Sequence, residues 1–132
     1  MNQIDYKRYY AELGKLLYAA ADLDKVITPE EKKELQEIVK RELVPMAKNT
    51  DEFGTSAAHY TEFEFDFLDD RIIDSKTALQ SFLDYVDEHR RLLDENMRKS
   101  CIRLTQRLLD SYGDRNKKEQ ALLVQIKTKL TA

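Results

Sequence analysis

Residues 20–31 read AADLDKVITPEE and separate two segments of helical periodicity. Thr28 can accept the backbone N–H of Glu31, the proline that follows Thr28 suits a first helical position, and Glu31 completes a capping box. This stretch therefore predicts one helix that ends just before Asp22, a turn that carries Asp22 and Asp24, and a second helix that begins directly after Thr28.

Apolar residues recur at helical spacing on both sides of this turn. The first helix is expected over Tyr6 to Ala21 with Asp5 as its cap, and a later helix is expected to start at Asp94. The predicted inward faces are Leu13, Leu16 and Leu17; Leu35, Ile38, Val39 and Leu43; Leu79, Phe82, Leu83 and Val86; Met97, Cys101, Leu104 and Leu108; and Leu122, Leu123, Ile126 and Leu130. With only 3 Gly and 2 Pro, the chain favours long helices. We predict one all-α domain over residues 1–132, a bundle of about six or seven helices.

Two segments interrupt this regular pattern. Pro45 is expected to end or kink the second helix, and a loop is expected near Asn49–Ser56. Farther on, the alternation of Phe63, Phe65 and Phe67 is typical of a strand. The residues that would share one helical face instead are Tyr60, Phe63, Phe67 and Leu68. Because the chain offers no convincing partner strand, we predict a helix from about Ser56 to Asp70.

The bulk composition excludes several classes of protein. The chain has 132 residues and a net charge of −3, so general attraction to nucleic acid is not expected. No run approaches the roughly 18 consecutive apolar residues of a membrane span. Cys101 is the only cysteine, and the first residues lack the apolar core of a signal peptide. We expect a cytoplasmic protein without a membrane span.

The turn between the first two helices has the ligand spacing of a Ca²⁺ loop. If Ile27 takes the central apolar position, Asp22 and Asp24 fall on two ligand positions and Glu31 on the last, which is bidentate in such loops. One alternative is therefore a degenerate EF-hand-like protein that responds to calcium.

Two residues depart from that loop. Ala20 stands where the first acidic ligand belongs, and Lys25 replaces the glycine of the sharp bend. Both changes weaken cation binding. The competing interpretation is that Glu31 caps its own helix and the two aspartates are solvated turn residues.

A second acidic turn precedes the last helix, where Asp114 is followed by Glu119. If the fold brings the two turns together, they can share a weak site for Ca²⁺, Mg²⁺ or a similar ion. The residues that we predict as cation ligands, or as acidic contacts to a basic partner, are Asp22, Asp24, Glu31, Asp114 and Glu119.

The two helices that follow these turns repeat one spacing. The matching residues are Glu31, Leu35 and Ile38 in the first and Glu119, Leu123 and Ile126 in the second. This echo is compatible with two related helical halves, although any two amphipathic helices with capping boxes have similar spacing.

The first turn also resembles the tellurite-resistance TerB-like family. In that family an Ala-Asp-Gly turn is followed by a Glu at the next helix start, and here Ala21, Asp22 and Glu30 or Glu31 match, with Leu23 in place of the Gly. The second motif matches loosely at Asp114 and Glu119, with a glycine before the aspartate instead of after it. The resemblance implies an all-α module of two helical halves, linked to metal or chemical stress and proposed to bind cations through its acidic turns.

No catalytic pattern stands out. His59 and His89 are isolated, and Cys101 is expected to be a small core residue. The helical row of Lys99, Arg103 and Arg107 is either a solvated face or a surface for an acidic partner.

We therefore predict a non-enzymatic TerB-like module that acts by binding a protein partner or, weakly, a divalent cation. An enzyme whose site forms only in three dimensions is the remaining alternative. Self-association is compatible with the opposite charges of the acidic turn and the basic row.

Overall fold

The computed structural model describes residues 5–24, 27–46, 56–110 and 117–131. Within these ranges the chain forms six helices and no β-strand. They are α1 (Tyr6–Ala21), followed by a 3₁₀ turn (Asp22–Asp24); α2, which begins as Pro29–Ile38, continues as a π-helix over Val39–Leu43 and ends with Val44–Met46; α3 (His59–Asp70); α4 (Ser75–Glu88); α5 (Glu95–Asp110); and α6 (Lys117–Thr131). The prediction of an all-α bundle with six or seven helices is confirmed.

Side-chain caps fix three of the helix starts where the sequence predicts them. Asp5 accepts two backbone N–H groups at the start of α1. Thr28 Oγ1 accepts from the Glu31 N–H at 3.2 Å, and Asp94 Oδ1 accepts from the Met97 N–H at 2.8 Å. Each bond satisfies a donor that the first helical turn leaves without an intrahelical partner, so the caps set where α1, α2 and α5 begin.

Helix α1 is the centre of the bundle and packs against α3, α4 and α5. It is buried on nearly every side over its last three turns, and even Glu12 is only 3% exposed. Its closest neighbour is α3, because a Cβ at Gly14 would overlap the Thr61 carbonyl oxygen. Thr61 Oγ1 donates to the Tyr10 carbonyl at 2.7 Å and fixes this contact.

The predicted inward faces of α1, α2, α4, α5 and α6 are confirmed with one partial exception. Leu79 of α4 is only partly buried, whereas the other residues of these faces lie in one core. The core also includes Cys101, as expected for a thiol on an apolar helical face. The helices are therefore held together because their apolar stripes are buried against one another in this shared core.

The helical prediction for the phenylalanine-rich segment is confirmed. Its predicted face is right at Leu68, which is buried, and in part at Tyr60, which packs against the core, but it is wrong at the exposed Phe63 and Phe67. Helix α3 begins at His59 and buries Thr61, Phe65 and Leu68, which follow the i, i+4, i+7 spacing of one stripe. Phe65 packs edge-on against Tyr18 of α1, with 5.7 Å between ring centroids. Because α1 approaches α3 at Thr61, the stripe that contains Thr61 faces the core, and Phe63 and Phe67 remain exposed.

Pro45 lies within α2, one residue before Met46, the last residue of the helix that the structure describes. The helix widens just before it, where the Val44 N–H donates to the Val39 carbonyl five residues earlier. A wide turn of this kind accommodates a proline ring, which would otherwise clash with the carbonyl of Arg41, four residues before it. The loop expected at Asn49–Ser56 lies, except for Ser56, outside the described residues.

None of the helices in the described ranges has the length and apolar character that a bilayer crossing requires.

Candidate functional site

The first acidic turn continues directly from α1. The Asp22 N–H donates to the Tyr18 carbonyl and ends the helix, and the 3₁₀ turn Asp22–Asp24 follows. Three parts of the predicted Ca²⁺ loop lie outside the described residues: Lys25, Val26 and the Asp24 side chain.

Glu31 and Glu119 occupy equivalent places at two helix starts. Glu31 is in the first turn of α2 and partly buried, whereas Glu119 is in the first turn of α6 and buried. One carboxylate oxygen of each is shielded from solvent. Both glutamates thus lie where a negative charge complements the helix dipole, which agrees with the helix-start interpretation.

Within the described ranges, no three His, Cys, Asp or Glu side chains lie close enough together to hold a metal ion. Asp22, Glu31 and Glu119 therefore do not form such a group among themselves. Asp114 lies outside the described residues, as does the Asp24 side chain. A cation site that includes those two residues stays a prediction.

The segments next to the two acidic motifs do border one groove. A cavity of about 630 Å³ lies between the end of α1 and the starts of α4 and α6. Leu23 of the acidic turn lines it from one side, and Lys118, one residue before Glu119, lines it from the other. The turn and the last helix start are thus neighbours in the fold.

One surface that the sequence pattern did not reveal is the outer stripe of α3. Its members, which we name the acidic aromatic face, follow one line along the helix: His59, Phe63, Asp66, Phe67 and Asp70. Phe63 is 54% exposed and Phe67 47% exposed. These are the large apolar side chains that a folded chain usually buries or uses for contact.

The acidic aromatic face also carries two carboxylates, Asp66 and Asp70. Helix α3 contains five acidic residues and neither Lys nor Arg. Desolvation raises the pKa of Asp66, and the neighbouring carboxylates of Asp70 and Asp69 raise it further, against the opposing effect of Lys32. Lys32 itself pairs with Asp69. The face therefore combines two exposed rings with carboxylates that repel one another.

The Phe63 and Phe67 rings of this face each contact another side chain of the protein. The His59 and Phe63 rings stack with centroids 6.3 Å apart, and the Arg71 guanidinium lies 4.3 Å from the Phe67 centroid. A guanidinium over a ring is a favourable cation–π arrangement. The face can thus hold a basic side chain on an aromatic surface.

Two residues of the basic row on α5, Lys99 and Arg107, form ion pairs with glutamates of the same chain. Arg107 pairs with Glu42 at 2.9 Å and lies 3.7 Å from Glu34, both on α2. Lys99 pairs with Glu95 on the same helix. These ion pairs tie α5 to α2 and reduce the charge that the row can offer to an acidic partner.

Glu12 and Cys101 are two further polar groups of the interior. Lys15 Nζ donates to Glu12 Oε1 at 2.9 Å, and Ser81 Oγ lies 3.3 Å from both Glu12 carboxylate oxygens, so the buried carboxylate is satisfied. Burial raises the pKa of the Cys101 thiol to about 12. A thiol of this kind is protonated at neutral pH and is a poor nucleophile.

The two histidines serve local contacts. His89 follows α4, where its Nδ1 lies 3.0 Å from the Tyr85 carbonyl and its ring stacks on the Tyr85 ring. His59 lies 3.8 Å from Glu62 on the same helix. Neither histidine adjoins a described group of metal-ligating side chains.

Comparisons of this chain with protein-family models, with curated proteins and with solved structures found no match. The TerB-like resemblance therefore depends on the residues of the acidic turn and stays a prediction.

Proposed function

We propose that this chain is a non-catalytic helical interaction module that binds a basic amphipathic segment of a protein partner through the acidic aromatic face of α3. For its family we propose the TerB-like helical proteins, on the resemblance of the turn that contains Asp22 and Glu31.

The observation that carries the proposal is the exposure of Phe63 and Phe67 on one stripe. Burial of a phenylalanine side chain contributes about 1.5–3 kcal/mol. The Phe63 and Phe67 rings are about half exposed and lie four residues apart. A partner that buries them would therefore gain part of this free energy on binding. Aromatic side chains are also the usual anchors of protein interfaces.

The charges on the same stripe indicate the chemistry of the partner. Asp66 and Asp70 stand beside the two rings at the same four-residue spacing, and both are exposed. A helix that presents leucines to the rings and arginines or lysines to the carboxylates would match both features. A cation beside Asp66 would also oppose the repulsion from Asp70 and Asp69, which adds to desolvation in raising the pKa of Asp66.

The test uses a labelled amphipathic peptide of Leu and Arg, with a Leu/Glu peptide of the same pattern for comparison. Fluorescence anisotropy should show binding of the Leu/Arg peptide and none of the Leu/Glu peptide. Phe63→Ser/Phe67→Ser should weaken binding more than about tenfold, since loss of an interface anchor costs over 1 kcal/mol.

The matched control is Val124→Ser on α6, which also removes an exposed apolar side chain, 64% exposed. This variant should bind the peptide as the parent chain does. Equal binding by the Phe63/Phe67 double variant and the parent chain would contradict the proposal, as would equal binding of the Leu/Glu peptide.

A further inference from the structure

We propose that the groove between α1, α4 and α6 binds an amphiphilic carboxylate, with a hydrocarbon chain along its apolar floor and the anionic head against Lys76 and Lys118. This site is separate from the acidic aromatic face of α3 and does not depend on the function proposed for that face.

The floor of the groove is apolar. Ala19 and Leu122 are buried beneath it, while Leu23, Leu79 and Ala121 contribute side chains to its walls. Its volume of about 630 Å³ is within the range of about 300–1,000 Å³ that is typical of small-molecule sites. The groove therefore has the size and lining for a hydrocarbon chain.

Two lysines stand at the edge of this floor. Lys76 and Lys118 are exposed, and neither forms an ion pair with any residue that the structure describes. Each lies in the first turn of its helix, where the helix dipole also favours an anion. Two lysines that have no ion pair among the described residues are complementary to a negative head group.

One carboxylate opposes this attraction. Asp74 lines the same groove and makes no side-chain capping bond at the start of α4. The three charged side chains of the lining therefore sum to a single positive charge. A ligand with one negative charge fits this balance, and removal of the Asp74 charge should strengthen its binding.

Isothermal titration calorimetry with decanoate, below its micellar concentration, tests the proposal. Decanoate should bind one to one, 1-decanol more weakly, and acetate not measurably. Lys76→Ala and Lys118→Ala should each weaken decanoate binding about two- to fivefold, the range for a solvent-exposed ion pair. Asp74→Asn should strengthen it by a similar factor.

Two further variants locate the ligand. Ala121→Phe fills the groove from an exposed position and should abolish decanoate binding while the fold is kept, as circular dichroism would show. Lys117→Ala is the matched control, because Lys117 is exposed in the same helical turn but does not line the groove.

Absence of decanoate binding would overturn the proposal. Undiminished binding by the folded Ala121→Phe variant would also overturn it, because the ligand would then lie elsewhere. The same holds if Lys117→Ala weakens binding as much as Lys118→Ala, since this would indicate general attraction to the surface charge.

Discussion

Ile72 has a backbone conformation that β-branched residues rarely adopt. Its φ of 54° lies in the left-handed region, directly after α3. The Ile72 N–H donates to the Asp69 carbonyl and the Ile73 N–H to the Leu68 carbonyl, both at 3.1 Å, which is the bonding of a Schellman motif. Glycine normally fills this position. The isoleucine is 86% exposed, so packing offsets little of the strain.

We predict that Ile72→Gly raises the free energy of unfolding by about 1 kcal/mol, because it removes the left-handed strain at the end of α3. Thermal and urea unfolding would measure the change. Ile72→Val keeps a β-branched side chain and should leave stability unchanged. A less stable Ile72→Gly chain would show that this isoleucine is not strained.

The buried thiol of Cys101 makes the free energy of unfolding depend on pH in the alkaline range. Burial raises the pKa of its thiol to about 12, whereas an unfolded cysteine ionises near pH 8.5. The folded state therefore keeps the proton that the unfolded state loses. Its contribution to stability is complete below about pH 8.5 and is lost as the pH rises toward 12.

We predict that ionisation of this thiol in the unfolded state lowers the free energy of unfolding by up to about 1.4 kcal/mol per pH unit above about pH 9. Urea unfolding at a series of pH values would measure the slope. Cys101→Ala removes the titrating group and should flatten it. A slope that persists in this variant would assign the effect to other groups.

Helices α1 and α3 approach each other through a single small residue. Gly14 has no Cβ, and the Thr61 carbonyl of α3 occupies the space that one would need. The hydrogen bond from Thr61 to Tyr10 holds the two helices at this separation.

We predict that Gly14→Ala lowers the free energy of unfolding by about 1–3 kcal/mol, the usual cost of overpacking. The sign of the change is decisive, because helix propensity alone would make the same substitution stabilising by about 1 kcal/mol. Thermal unfolding would distinguish the two. A higher unfolding temperature would mean that α1 and α3 are not in such close contact.

The sequence was sufficient to predict most helices but not the orientation of α3. Five helices have one continuous apolar stripe, so their buried faces and several of their caps follow from spacing. In α3, apolar residues lie on the outer stripe as well as on the buried stripe, and the buried stripe includes a polar residue, Thr61. The Thr61 hydroxyl donates to the Tyr10 carbonyl of α1, and that contact is a tertiary feature that local spacing cannot reveal.

At the scale of the whole molecule, the sequence indicated the acidic turns but not the surfaces beside them. Leu23 and Lys118 are 95 positions apart in number, yet they line one groove. Exposure of Phe63 and Phe67 likewise depends on which side of α3 meets the core. Capping spacing is local and could be predicted, whereas grooves and exposed faces result from the packing of distant helices.

We predict that divalent cations leave the unfolding temperature nearly unchanged, because any cation site at the acidic turns is weak: Ala20 and Lys25 replace an acidic ligand and the glycine of a Ca²⁺ loop. Thermal unfolding in chelator and then in millimolar calcium, magnesium, manganese or zinc would test this. A ligand at about 100 times its dissociation constant stabilises a fold by about 2.7 kcal/mol, or several degrees here. A shift that Asp22→Asn/Asp24→Asn removes would contradict the prediction and establish a metal site.

The central claim is that a basic partner binds on α3, so the most direct test is to locate the contact on the chain. Two-dimensional ¹H–¹⁵N NMR of the whole chain, titrated with the Leu/Arg peptide, would map it residue by residue. We predict that the largest shifts lie within residues 59–72 and disappear in Phe63→Ser/Phe67→Ser. Shifts centred on the acidic turn or on the groove, or no shifts in α3, would contradict an interaction surface at the acidic aromatic face.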